Sequence, residues 1–375
     1  MEKYTVKNEC SSEKAIVLED MILTKDMPTT AGSKMLDGYM SLFDAEIVTK
    51  LKNAGFEISG KASISEFGFD LIGCADPEIV NEAMAVVGLD VNGTQRRAAA
   101  QNSFVNVKST YGTVSRFGTI PVACSGECAS VSAVSAENAL QVLSAIIGHD
   151  DKDGTSLDEK TCASIFENNT KAGKIAVLNS FVEGLSPDAK EAFDKAVKSL
   201  SDSGIKVEFI DDAVICLSNK AWNVLMCAEL CNNVSKYDGV KYGYRAKSFS
   251  NIDTLYTNSR TEAFGSLLKK AILFGSETLS TENYMKVYDK ALRCRRVIAE
   301  AFAKLFENYD ALLIPAVSTL DYSGKNEEFV FEENFYTAPA SITGLPAVTV
   351  GNAQFIGKAF SEKSLLDLAR LVEVK

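Results

Sequence analysis

Three short stretches of this chain carry residue types that could do chemistry. The first is Gly88–Thr94, Gly-Leu-Asp-Val-Asn-Gly-Thr, which follows an apolar run. A glycine-bracketed loop lets backbone N–H groups approach an anion or an oxyanion, and the Thr94 hydroxyl could serve there as a nucleophile. An ordinary Gly-Asx turn is the alternative. The loop lacks the Gly-Lys-Ser/Thr ending of a phosphate loop. The second stretch, Arg96-Arg97, follows at once. It could hold a carboxylate or phosphate, although a solvated surface pair is commoner. The third, Glu19-Asp20, ends a predicted strand, the position at which ligands often meet α/β sheets; a solvated turn would use the same residues.

Other candidates narrow quickly. His149 is the single histidine of the 375-residue chain, so sites built on several histidines are excluded. It lies in Gly148–Gly154, just past a predicted helix, and reads as a helix-terminating loop residue placed favourably at a helix C-terminus. Asp150, Asp151 and Asp153 nearby lack the EF-hand spacing. The nine cysteines are an odd number, and the polar N-terminus shows no secretory h-region, so reduced thiols in a cytoplasm are expected. Cys124/Cys128 and Cys227/Cys231 are spaced four apart and read as buried thiols rather than metal ligands. No metal and no cofactor are expected.

The 46% apolar and 24% charged composition is that of a globular chain able to bury a large core. Its net charge of −11 makes it a poor autonomous partner for nucleic acid or an anionic membrane. No run approaches the roughly 18 apolar residues of a membrane span.

Elements that must position these residues alternate along the chain. Strands are predicted at Lys14–Leu18, Phe56–Ser59, Lys174–Leu178, Ile205–Ile210, Asp212–Leu217 and Ala311–Ile314, with a hairpin of Ala347–Val350 and Gln354–Ile356. Helices are predicted at Ala45–Gly55, closed by Gly55; at Pro77–Val87; at Ala136–Ile147, capped by Ser135 or Ser132; and at Pro187–Leu200, Ala221–Val234, Ser280–Asn308 and Ser364–Leu371. Polar loops are expected at Gly148–Lys160, Asn232–Ser250 and Asp321–Asn334. This pattern implies an α/β layered fold with a parallel or mixed sheet. No linker splits it, so one domain over residues 1–375 is expected.

Several long stretches resemble the amidase-signature family, and within it most the A-subunit group of glutamyl-tRNA(Gln) amidotransferases. They are Ile22–Leu36, Asp44–Phe67, Lys108–Gly118 (KSTYGTVSRFG), Ala145–Ser156, Tyr237–Gly275, Arg293–Pro315 and Ala338–Val350 (APASITGLPAVTV). Tyr237–Gly275 includes Asp238–Arg245 (DGVKYGYR) and Arg260–Gly265 (RTEAFG). The resemblance implies a central mixed sheet covered by helices on both faces. It also implies an amidase built on a serine nucleophile, a second serine and a lysine base, because an unassisted hydroxyl is a weak nucleophile.

This sequence departs from the resemblance at each of those positions. Glu19 stands where the lysine belongs, Thr94 replaces the nucleophilic serine, and Asn92 replaces a loop glycine. The stretch bearing the second serine is missing, with a deletion expected near residues 68–76 and Asp70 falling near the lost serine. A shallower, more open pocket is expected there. The family's substrate contacts correspond to Lys270, in a Lys-Ala pair where two basic residues are expected, and to Asn334, where an acidic residue would hold a glutamine amino group. The helical segment that usually precedes the first family strand is expected to be absent. The expectation is a pseudoenzyme, a binding or assembly module partnered by amidotransferase B/C-like subunits or an active A subunit. The alternative is a divergent glutamine amidohydrolase using Thr94, supplying ammonia for tRNA-dependent amidation. Direct nucleic-acid and membrane contacts are not expected.

Overall fold

The computed structural model describes residues 3–8, 12–72, 76–167 and 172–373. Eleven strands share one sheet: β1 (Tyr4–Lys7), β2 (Ala15–Glu19), β3 (Glu57–Ala62), β4 (Ala85–Asp90), β5 (Val105–Lys108), β6 (Cys128–Ala133), β7 (Lys174–Leu178), β8 (Lys206–Ile210), β9 (Ala311–Ile314), β10 (Ala347–Val350) and β11 (Ala353–Gly357). Their order is β1-β3-β2-β4-β6-β5-β10-β11-β9-β7-β8. The sheet is mixed. β2 runs parallel to β3 and β4, and β7 to β8 and β9, while the strands between them alternate in direction.

Side-chain alternation feeds two cores, one on each face. Val17, Val86, Ala176, Leu178, Leu312 and Ile314 enter one of them. Ile16, Leu18, Val87, Ile175, Val177 and Leu313 enter the other. Helices cover both faces. Trp222, Leu225 and Met226 of the Ser218–Asn233 helix serve the first core. Val142, Leu143 and Ile146 of the Ala136–Ile146 helix serve the second. Ser135 caps that helix by accepting from the Asn138 N–H.

Several expected elements differ. The helix at Pro77 ends at Glu82, and Ala85–Asp90 is instead strand β4. All six residues of β4 are buried between β2 and β6, and that pairing outweighs any helical periodicity. Asp212–Leu217 is not a strand. The Asp212 carboxylate accepts from the Val214 and Ile215 N–H groups and starts a turn that ends in the short 3-10 helix Ile215–Leu217. The expected loop Asp321–Asn334 is interrupted by a helix, Phe329–Thr343, which contains the Ala338-Pro339-Ala340 stretch. Pro339 inside it removes one helical N–H. Two carbonyls just before Pro339 take partners from elsewhere: Gln354 Nε2 donates to Tyr336 O and Arg96 Nη1 to Thr337 O. The expected long helix from Ser280 is a π turn, Tyr284–Tyr288, followed by the helix Asp289–Leu305. No helix among the described residues is long and apolar enough to cross a membrane.

Candidate active site

β4 ends at Asp90, and the loop after it turns through Gly93 into the helix Thr94–Asn102. Gly93 is in the left-handed region (φ 86°), and a Cβ there would sit 2.3 Å from Thr337 Cβ. Only glycine allows both the turn and the close approach. Thr94 is therefore the first helical residue, fully buried, where the helix N–H groups have no intrahelical acceptor.

Glu19 ends the neighbouring strand β2 and is also fully buried. Its Oε2 accepts from the Leu89 N–H at 2.7 Å. The carboxylate and Gln95 crowd the backbone at Gly88. A Cβ at Gly88 would lie 2.6 Å from Glu19 Oε2 and 2.0 Å from Gln95 Nε2. The structure thus brings Glu19 and the Thr94 loop to one end of the β2–β4 pair, with Oε2 turned to a backbone amide.

Arg96 and Arg97 are both fully buried, against the expectation of a solvated pair. Arg96 grips Asp90 through two parallel bonds, Nε to Oδ2 at 2.7 Å and Nη2 to Oδ1 at 2.8 Å. Its remaining N–H groups go to Thr337 O, Gln354 Oε1 and Ser341 Oγ. Burial alone would raise the Asp90 carboxyl, but the Arg96 guanidinium overrides it and holds that carboxyl below the usual range.

Arg97 has no carboxylate partner among the described residues. Its Nε donates to Leu71 O (2.6 Å) and its Nη2 to Asp70 O (2.9 Å). Nη1 meets Asn92 O (2.8 Å), Thr337 Oγ1 (3.0 Å) and Asn334 Oδ1 (3.2 Å). Asn334, fully buried, donates in turn to Asn223 Oδ1 at 2.8 Å. Asn334 therefore belongs to the network that backs the Thr94 loop. Asp70 reaches the same place through its backbone carbonyl, which also accepts from Asn92 Nδ2. The opening expected near 68–76 includes residues 73–75, which lie outside the described residues. In the described part, the Asp70 and Leu71 carbonyls are taken up by Arg97.

Lys270 lies elsewhere. It is exposed and pairs with Glu327 (2.7 Å) and Glu328 (2.5 Å). His149 holds its own loop, with Nδ1 against Leu157 O and Nε2 against Asp151. The seven described cysteines are free thiols, and burial pushes the Cys227 thiol up to about 12. No group of three or more His, Cys, Asp or Glu side chains suited to a metal ion occurs among the described residues.

Sequence reasoning missed Asn223 and Thr337, the partners of Asn334 and Arg97, and it missed Lys61. Lys61 is a fully buried amine on β3 that donates to Pro28 O (2.9 Å) and Thr29 Oγ1, with Asp20 Oδ1 3.9 Å away. Burial pushes it down to about 8, against an opposing pull from Asp20. It pairs across the sheet with Leu18, whereas Glu19 pairs with Ala62. Lys61 therefore faces away from the Thr94 loop. No signal in the sequence separates a buried lysine from an exposed one at the end of a strand.

The mixed sheet that carries this loop has known counterparts. The family model described as Amidase matches residues 15–74 and 80–366, and the chain belongs to that family. Within it, the glutamyl-tRNA(Gln) amidotransferase A subunit of Latilactobacillus sakei subsp. sakei (strain 23K) is 32% identical over 390 residues, covering 93% of this chain and 80% of that protein. Its counterpart in Acinetobacter baumannii (strain AYE) is 32% identical over 392 residues, with the same coverage of 93% and 80%. Among solved structures, the glutamyl-tRNA(Gln) amidotransferase A subunit from Thermotoga maritima superposes with a TM-score of 0.78 at 25% identity, over 99% of this chain and 87% of that one. A 6-aminohexanoate cyclic dimer hydrolase shares the fold at 16% identity, with a TM-score of 0.75 over 96% of this chain and 84% of that one.

Proposed function

We propose that this chain is an amidase-family member that does not hydrolyse amides and acts as a binding or assembly module. The observation that carries this reading is Glu19. The strand end where the resemblance calls for a lysine base bears a buried carboxylate, and its Oε2 is held on the Leu89 amide. A carboxylate is a weak base toward an alcohol, and a nucleophile without its base keeps little of the rate. Asn92 in place of a loop glycine adds to the same reading. The relatives are named as subunits of an amidotransferase. The partners proposed are therefore amidotransferase B/C-like subunits or an active A subunit, met in the cytoplasm through protein contacts and not through nucleic acid.

A second reading is favoured by Thr94 itself, which retains a hydroxyl at the first turn of a helix after the left-handed Gly93. In that reading the chain is a divergent glutamine amidohydrolase that supplies ammonia for Glu-tRNA(Gln) transamidation. Ammonia release from glutamine, asparagine and simple amides separates the two. The first reading predicts that the native chain and Thr94→Ala are indistinguishable. Turnover that disappears in Thr94→Ala would establish the second. For the partner, co-purification at near-native concentration should recover one of the amidotransferase subunits, and recovery of none would remove that part of the proposal.

A further inference from the structure

Arg96 and Arg97 are neighbours on one helix, and both guanidinium groups are buried. Arg96 has a carboxylate, while Arg97 meets only neutral oxygens: three backbone carbonyls, one amide oxygen and one hydroxyl. Those five acceptors come from three separate places in the chain. Asp70 and Leu71 follow the 3-10 turn Glu66–Gly68, Asn92 lies in the loop before Thr94, and Asn334 and Thr337 lie on the Phe329–Thr343 helix. Thr337 Oγ1 also donates to Asn92 O, so the loop and that helix are joined through the same hydroxyl.

A buried acceptor left without a donor is costly. Asp70 O also accepts from Asn92 Nδ2 and Asn92 O from Thr337 Oγ1, so Leu71 O and Asn334 Oδ1 are the acceptors that have Arg97 as their donor among the described residues. Guanidinium is suited to serving them, because it is planar and presents five N–H groups in a fixed fork. We infer that Arg97 is a built-in occupant of a cation-accepting chamber behind the Thr94 loop, and that the chamber without this side chain is a receptor for a guanidinium-type cation. The five acceptors are neutral, so the contacts select by donor geometry, and the Glu333 and Asp90 carboxylates add attraction from longer range. In the native chain it is filled from within, so Arg97 closes that side of the Thr94 loop to small molecules. This inference deepens the reading of an inactive site and rests on it only for its biological meaning. Ammonia release reads turnover, and the experiment below reads occupancy.

The test uses the full-length chain and Arg97→Ala, followed by thermal unfolding. The probe is methylguanidinium chloride at low millimolar concentration. Methylurea, close in shape but neutral, and potassium chloride at matched ionic strength are the controls. The expected result is a lowered midpoint for Arg97→Ala that rises saturably with methylguanidinium alone, recovering at least half of the deficit, while the native midpoint does not move. A folded Arg97→Ala that responds equally to methylguanidinium and methylurea, or to neither, overturns the inference. If Arg97→Ala does not fold, Arg97→Lys and Arg97→Met decide. A lysine variant clearly above the methionine variant supports a cation donor in the chamber. A methionine variant equal to or above lysine shows that Arg97 only fills space and overturns the inference.

Discussion

Two buried polar clusters stand on opposite faces of the strands β2 and β3. On one face Glu19, the last residue of β2, lies against the loop that carries Thr94. On the other, Lys61 stands with Asp20 and Thr29. The first sets the Thr94 loop against a carboxylate held on the Leu89 amide. The second has an amine pushed down to about 8 by burial, in the range useful to a base, with no route to Thr94. The difference between them is one residue of strand register, since Glu19 pairs with Ala62 and Leu18 with Lys61. Successive side chains on a strand face opposite ways, so a suitable pKa in the neighbouring residue does not transfer to the site. Residue types alone therefore do not say which side chains share a site, and the face on which they emerge decides.

The largest expected effect sharpens the contrast between buried cations with and without strong partners. Asp90→Ala strands the Arg96 guanidinium inside the protein and should cost about 3–5 kcal/mol in denaturant unfolding. Asp20→Asn should cost clearly less, because Lys61 is already displaced toward its neutral form and can release its proton. Equal losses for the two variants would break the comparison.

Lys61 supplies the next test. Its folded pKa of about 8 lies below the ordinary lysine value of 10.5. Between those limits the unfolded chain binds more protons than the folded one, so stability rises with pH through that window and is lowest below pH 8. The contribution is on the order of 3 kcal/mol. Lys61→Met should abolish this rise in a stability–pH profile, and a profile unchanged from the native one would place the titration elsewhere. A smaller effect is expected at Gly88→Ala. The added Cβ must displace both Gln95 Nε2 and the Glu19 carboxylate, at about 1–3 kcal/mol in the unfolding free energy. A neutral result would show that the two side chains are not fixed there. Lys270→Ala, which removes an exposed pairing with Glu327 and Glu328, should leave the midpoint unchanged.

Much of the fold was legible in the sequence where apolar residues sit in local patterns. Lys174–Leu178, Ala311–Ile314 and the β10–β11 hairpin follow from short apolar runs and the Gly351-Asn352 turn. The Ala136–Ile146 helix follows from its amphipathic spacing and its serine cap. β5 and β6 were not legible. They bury Asn106, Lys108, Ser130 and Ser132, and they succeed because Asn106 Nδ2 donates to both serine hydroxyls across the strands. The same reason hid the arginine pair. The acceptors of Arg96 and Arg97 include Gln354, Thr337 and Asn334, more than 200 residues away, and nothing near Gly93 announces them. The positions of Glu19 and Thr94 were readable because one follows a predicted strand and the other a glycine-bracketed loop, whereas the helix Thr94–Asn102 was not anticipated. That Lys61 and Glu19 emerge on opposite faces required the strand register.

The most direct measurement of the central claim is the reactivity of the Thr94 hydroxyl itself. A fluorophosphonate that phosphonylates activated serine and threonine hydroxyls would be incubated with the native chain, and the product read by intact mass and peptide mapping. The account predicts an unmodified protein at probe concentrations that saturate an active amidase of the same family. A stoichiometric adduct on Thr94, absent in Thr94→Ala, would contradict it and would show that a base reaches this hydroxyl after all.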